Sequence, residues 1–236
     1  MLNKCKAPVV RLVFCSSFIV HRSSFLLPMT PHTEIEIKLQ VHDPTSLKRR
    51  LRQLGFRVVK ARHFESNSLF DFRGSHIRKS RCLLRLRAAQ GQGVVTFKGA
   101  PIRSGRYKVR PEIETQVADG DQMRQIFEHL GLRESFRYEK YRTILAPTLP
   151  ASSKPSSRLS PKLKAELVYD ETPIGDYIEL EGPKRWIDRV AKQLGYNRTD
   201  YISRSYAALY LSRCRERRIK PGDMVFVKAL NAGAAS

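Results

Sequence analysis

Seven segments of this chain alternate charged and apolar residues with a period of two, and only two-faced β-strands bury one half of such a pattern while setting the other half apart. In Thr33 to Leu39, the side chains of Glu34, Glu36 and Lys38 share one face and those of Ile35, Ile37 and Leu39 the other. Arg85 and Arg87 stand opposite Leu84 and Leu86, and Thr96 and Lys98 opposite Val95 and Phe97. Arg110, Glu112 and Glu114 oppose Ile113, Lys140 and Arg142 oppose Tyr141, Asp170 opposes Tyr169, and Glu179 and Glu181 oppose Ile178 and Leu180. A solvated sheet face usually mixes Thr, Ser, Gln and Lys. Here the charges are segregated into Glu-x-Glu and Arg-x-Arg types, which points to a lined interior. The expected strands, with Leu69 to Phe72 added and Gly74, Gly91, Gly93 and Gly105 as turns, number about eight, enough for an antiparallel sheet to close on itself.

Three of these strands run into amphipathic helices. Asp43-Pro44 opens a helix that places Leu47, Leu51 and Leu54 on one face and stops at Gly55. Asp121 is expected to open a second with Met123, Ile126, Phe127 and Leu130, ending at Gly131. Pro183 opens a third with Trp186, Val190 and Leu194, ending at Gly195. The expected class is α+β: an eight-stranded antiparallel barrel enclosing a hydrophilic tunnel, with flanking helices.

The barrel domain is expected over residues 30–212. Residues 1–29 lack its pattern and read as a disordered extension or an over-extended start; Arg11, His21 and Arg22 break up the apolar run a secretory signal needs. Residues 147–164, with four Pro and five Ser, read as a flexible loop within the domain, and residues 213–236 as a frayed basic tail. The net charge of +22 suggests a polyanionic partner. Residues 1–28, 147–164 and 212–236 contribute +4 each, so 12 of the 22 charges are peripheral. No apolar run reaches the roughly 18 residues of a membrane helix, and four scattered cysteines form neither a zinc motif nor a disulfide framework; a cytoplasmic protein is expected.

Arg and Lys aimed into one confined space suit the oxygens of a phosphate chain. The carboxylates beside them would repel that ligand unless divalent cations intervened, and hard oxygen donors near phosphate select Mg²⁺ or Mn²⁺. The combination implies metal-assisted phosphoryl chemistry.

The ordered motifs resemble the CYTH superfamily of triphosphate tunnel metalloenzymes. They are Glu34-Ile-Glu36-Ile-Lys38, Leu84-Arg85-Leu-Arg87, Thr96-Phe-Lys98-Gly99, Arg110-Pro-Glu112-Ile-Glu114, Lys140-Tyr-Arg142, Asp170, Glu179-Leu-Glu181 and Ser205-Tyr206, spanning about residues 30–212. The resemblance implies a barrel that holds a triphosphate and one or two metal ions. It nominates Glu34, Glu36, Glu112, Glu114, Asp170, Glu179 and Glu181 as metal-ligand candidates, and Lys38, Arg85, Arg87, Lys98, Arg110, Lys140 and Arg142 for the phosphates. The branch it is most similar to is that of the class IV adenylate cyclases, which convert ATP to cyclic AMP and pyrophosphate. Hydrolysis of tripolyphosphate, thiamine triphosphate or a nucleoside triphosphate is the alternative. The general base is not assigned, and a homodimer is compatible with the sequence.

A non-catalytic RNA- or polyphosphate-binding module is disfavoured, because Glu-x-Glu pairs have no use on such a surface and Phe97, Phe127 and Trp186 are expected in the core rather than on a base-stacking platform. No P-loop motif is present. His63, His76 and His129 read as surface or loop residues, and Cys82 as packed within a strand pair.

Overall fold

The computed structural model describes residues 32–89, 92–148 and 165–227. The expected N-terminal extension, most of the Pro/Ser-rich loop and the end of the basic tail lie outside the described residues. Eight strands form a closed, fully antiparallel barrel: β1 (His32–Val41), β2 (Phe56–Phe72), β3 (Leu83–Ala89), β4 (Gln92–Lys98), β5 (Lys108–Val117), β6 (Leu132–Pro147), β7 (Glu166–Thr172) and β8 (Gly175–Glu181). Their order around the barrel is β1-β5-β4-β3-β2-β6-β7-β8, with β8 pairing back to β1. Closure leaves no unpaired edge and separates an inner from an outer face.

The alternation predicts the faces correctly. Ile37, Leu39, Leu167, Ile178 and Leu180 point outward into the main core, beneath α1 (Pro44–Gln53) and α4 (Lys184–Gln193). Ile187 of α4 and Leu51 of α1 close that core, each buried side chain stabilising the fold by about 1.5–3 kcal/mol relative to exposure. Asp43 accepts a hydrogen bond from Ser46 N (3.0 Å) and Pro44 begins α1, whose C-cap Leu54 is followed by Gly55 at φ +77°.

Several elements differ from the sequence-based expectation. β2 and β6 are much longer than the alternating cores at 69–72 and 138–145, because three register shifts between them break the period that marks a strand. Helix α3 (Gly120–His129) is capped by Asp119, whose Oδ1 accepts from Asp121 N and Gln122 N, not by Asp121. Phe127 is buried, whereas Ile126 and Leu130 are exposed; Phe97, expected in the core, is 40% exposed on the outer face of β4. A short helix α2 (His76–Lys79) was not expected; Asp71 accepts hydrogen bonds from Ile77 N and Arg78 N at its start.

The largest correction concerns the C-terminus. Tyr206–Glu216 forms helix α5, and the chain beyond it returns to the barrel rather than fraying. Met224 is 0% exposed and exchanges backbone hydrogen bonds with β6: Glu139 N donates to Met224 O and Met224 N to Arg137 O, both at 2.9 Å. Asp223 accepts from Arg137 N and the Glu139 carboxylate from Phe226 N. This strap packs Met224 against a cluster containing Tyr138, Tyr177 and Tyr206.

Candidate functional site

The inner face of the barrel encloses a cavity of about 580 Å³. Twelve of the fourteen residues nominated from sequence line it. The two that do not are Glu34 and Asp170. Glu34 is buried behind Lys98, which contacts both its carboxylate oxygens (2.8 and 2.7 Å), and Asp170 has no exposed surface.

Strand register sorts the lining into two regions. In the first, β1 places Glu34 and Glu36 beside Arg110 and Lys108 of β5, and Glu36 beside Glu181 of β8, which in turn opposes Glu166 of β7. Lys108 Nζ lies 2.6 Å from Glu36, and Lys98 Nζ 3.2 Å from Glu112. Among the described residues no three carboxylate, imidazole or thiol groups converge closely enough to enclose an ion as they stand; lysines fill the gaps. The acidic charge is nonetheless strained. Burial, reinforced by Glu36, pushes Glu181 up to about 7 and Glu34 up to about 9, despite the opposing effect of Lys98. Glu36 goes the other way, because Lys108 and Lys38 outweigh its burial. Hard oxygen donors under mutual repulsion fit a divalent cation of the Mg²⁺ or Mn²⁺ kind.

The second region is basic. From β6, Lys140 and Arg142 project beside Arg85 and Arg87 of β3 and Lys38 of β1. Arg85 donates to Thr96 Oγ1 (3.0 Å) and lies 3.4 Å from Glu114, as does Arg87. Lys38 sits between Glu36 (3.1 Å) and Glu179 (3.0 Å), and although burial opposes its charge, these two carboxylates hold its ammonium group above the usual lysine range. Arg142 contacts Glu179 at 2.6 Å. Burial would raise Glu179, but Lys38 and Arg142 prevail and keep it well below the usual carboxylate range.

One nominated phosphate ligand is otherwise committed. Arg110 donates to the carbonyls of Gly99 (2.7 Å), Arg81 (2.8 Å) and Lys98 (3.3 Å), so its guanidinium staples β5 to the segments flanking β3 and β4. Arg81 adopts φ +59°, a conformation rare for a side-chain-bearing residue.

The model for the CYTH domain matches residues 32–206. The chain belongs to the CYTH domain family. It is similar, at 31% identity over 75% of its own length and 97% of the other's, to a protein from Methanocaldococcus jannaschii named a putative adenylate cyclase. Among solved structures, a putative adenylate cyclase from Vibrio parahaemolyticus shares the fold with TM-score 0.61 and 18% identity, over 77% of this chain and 99% of that one. A Hippeastrum protein described as a putative adenylyl cyclase with a dominant triphosphatase activity has TM-score 0.52 and 19% identity, over 76% and 96% of the two chains.

This CYTH barrel also brings in residues the sequence reading passed over. Lys108 lies two positions before Arg110, so the period-two rule extended by one step would have found it. His63 and Glu65 lie on the unrecognised first half of β2; both are buried and line the cavity, correcting the placement of His63 on the surface. His63 Nδ1 is 2.9 Å from Ala61 O, and its Nε2 is 3.4 Å from Glu65. Glu65 faces Lys140 (3.5 Å), Arg87 (3.7 Å) and Arg142 (4.0 Å), whose charges overcome its burial and hold its carboxyl well below the usual range. Cys82, expected within a strand pair, precedes β3 and donates to Ser80 O.

Proposed function

We propose that this CYTH barrel is a divalent-metal-dependent triphosphatase, hydrolysing a triphosphate-bearing substrate inside the cavity. The observation that carries the reading is one enclosed lining in which cations outnumber carboxylates around Arg85, Arg87, Lys140 and Arg142, while Glu36, Glu112 and Glu181 gather on another part of the wall. A triphosphate carries several negative charges in a short chain. Arginines take its oxygens through planar forks and lysines as point charges, while a low-dielectric enclosure strengthens both.

Glu36, Glu112 and Glu181, with Glu34 once Lys98 yields it, are the residues that would hold Mg²⁺ or Mn²⁺. When bound, the ion supplies polarisation of a phosphoryl oxygen and neutralises charge that develops during transfer. Lys38 stands at the junction of the two regions, within reach of Glu36 and Glu179. There its fixed positive charge would stabilise the departing diphosphate chain. Water attacks the terminal phosphorus and gives up a proton to solvent, the bond to the bridging oxygen breaks with its electron pair staying on that oxygen, and the cations retain the departing chain.

Hydrolysis is favoured over cyclisation by the aromatic content of the lining. Among the described residues its aromatic side chains are Tyr138, Tyr206 and the imidazole of His63, all buried, and both tyrosines pack in the cluster around Met224. None of the three is a free stacking face for a nucleobase. Cyclisation of ATP is the second reading, supported by the name of the Methanocaldococcus relative. Incubation with Mg²⁺ or Mn²⁺ and either ATP, tripolyphosphate or thiamine triphosphate separates them. Orthophosphate release supports hydrolysis, cyclic AMP with pyrophosphate supports cyclisation, and no turnover with either metal across neutral and alkaline pH refutes both.

A further inference from the structure

Asp170 lies at the meeting point of β6, β7 and α5, and the resemblance to the CYTH superfamily nominates it as a metal ligand. Its surroundings are unsuited to that role. Arg142 grips it through both ends of the guanidinium fork, Nε to Oδ1 at 2.7 Å and Nη2 to Oδ2 at 2.6 Å. Lys140 Nζ donates to Oδ2 at 3.0 Å, and the Tyr206 hydroxyl donates to the same oxygen at 2.8 Å. Three donors converge on Oδ2 and one on Oδ1, so the carboxylate is held by four contacts from three side chains, two of them cationic. The group is 0% exposed and does not reach the cavity surface. A divalent cation approaching it would also meet the charges of Lys140 and Arg142 first.

The fourth donor comes from outside the barrel wall. Tyr206 is the first residue of α5, and Ser205 Oγ caps that helix by accepting from Ala208 N (3.3 Å). The Tyr206 ring is wedged against Tyr138 and Tyr177, lies 5.1 Å from Lys38 Nζ and 5.5 Å from Lys140 Nζ, and forms part of the cavity lining. Its hydroxyl is therefore fixed by helix α5 and by packing, independently of the strand that carries Asp170.

We propose that Asp170 and Tyr206 are positioning residues which hold Lys140 and Arg142 as one preset pair for the phosphate chain, with Tyr206 tying that pair to the C-terminal helix. The inference rests on the cavity binding a polyphosphate, but not on which reaction follows. Fixing two long cationic side chains before the ligand arrives removes rotamer entropy that binding would otherwise have to overcome. Tyr206→Phe deletes one hydrogen bond while keeping the ring, and loss of a buried hydrogen bond to a charged group corresponds to about a tenfold effect.

The test is calorimetric binding of tripolyphosphate in the presence of a chelator, alongside Mg²⁺ titrations of the metal alone, for wild type, Tyr206→Phe and Asp170→Asn. Neither readout needs turnover. The expected result is about tenfold weaker tripolyphosphate binding for Tyr206→Phe, a larger loss for Asp170→Asn, and Mg²⁺ affinity within about twofold of wild type for both. Unchanged tripolyphosphate binding by Tyr206→Phe overturns the proposal, even if thermal stability falls, since that outcome leaves only a structural role. Weaker Mg²⁺ binding by Asp170→Asn with tripolyphosphate binding intact also overturns it and restores Asp170 to the metal. If Asp170→Asn does not fold, Tyr206→Phe decides alone. Wild-type protein that binds no tripolyphosphate would refute the functional reading and this proposal together, an outcome distinct from the failure of the proposal by itself.

Discussion

Glu181 faces the cavity, and burial together with Glu36 pushes its pKa up to about 7. A metal ion that uses this carboxylate has to displace its proton below that pH. The apparent affinity for Mg²⁺ is then reduced by the protonated fraction, so between pH 6 and pH 8 it should rise about tenfold, or about 1.4 kcal/mol. Glu34, at about 9, extends the rise further into the alkaline range. Calorimetric titration with Mg²⁺ at several pH values, in buffers of differing ionisation enthalpy, measures both the affinity and the protons released. Glu181→Gln removes the titrating group and should flatten the slope between pH 6 and 8. A wild-type affinity that is constant or falls over that interval, or a slope untouched by Glu181→Gln, would refute the assignment of this carboxylate to the metal.

Other consequences follow from the same geometry. Met224→Ala leaves a cavity beneath the C-terminal strap and should cost about 2–5 kcal/mol in chemical denaturation, whereas a frayed tail would give no change. Glu65 and Glu179 have folded pKa values below the 4.5 of an unperturbed Glu, so their contribution is present above pH 4.5 and lost as pH falls through the lowered values. Glu34 and Glu181 have raised values, so their contribution is present below pH 4.5 and lost as pH rises through about 7 and about 9. The metal-free melting temperature should therefore decline on both the acid and the alkaline side, and added Mg²⁺ should restore mainly the alkaline side; a flat alkaline limb would contradict the charge strain described for this region. Asp119→Ala removes the α3 cap and should destabilise by about 1 kcal/mol, while Asp121→Ala should have the smaller effect.

The parts of this barrel that could be read from sequence are those where one strand keeps its period. Glu34 to Leu39 and Glu179 to Glu181 declare their faces because each inward charge alternates with an outward Ile or Leu buried under α1 or α4. The first half of β2 gave no such sign. Its outer residues Val58, Val59 and Phe64 are substantially exposed, and register shifts near Lys60 interrupt the alternation, so His63 and Glu65 could not be assigned a face. The committed state of Arg110 and the caged state of Asp170 were equally hidden, since their hydrogen-bond partners come from other strands and from α5. The strap at Met224 was concealed by its setting: the short apolar run Met224-Val225-Phe226-Val227 follows a strongly basic stretch, and its backbone pairing with β6 joins segments far apart in the chain.

The central claim is that a triphosphate is converted among the charges inside this barrel. Phosphorus magnetic resonance of a tripolyphosphate or ATP solution, followed after addition of Mg²⁺ and protein, tests it directly when wild type is compared with Arg87→Glu. Arg87 lines the cavity, and its carboxylate contacts among the described residues are Glu114 at 3.4 Å and Glu65 at 3.7 Å, so reversing its charge opposes the phosphate chain at the cost of those two pairs. Placing a negative charge beside the bound chain should slow conversion by more than about 100-fold in a variant that still melts cooperatively. Equal conversion by Arg87→Glu, or an unaltered phosphorus spectrum with the wild type, would contradict the account.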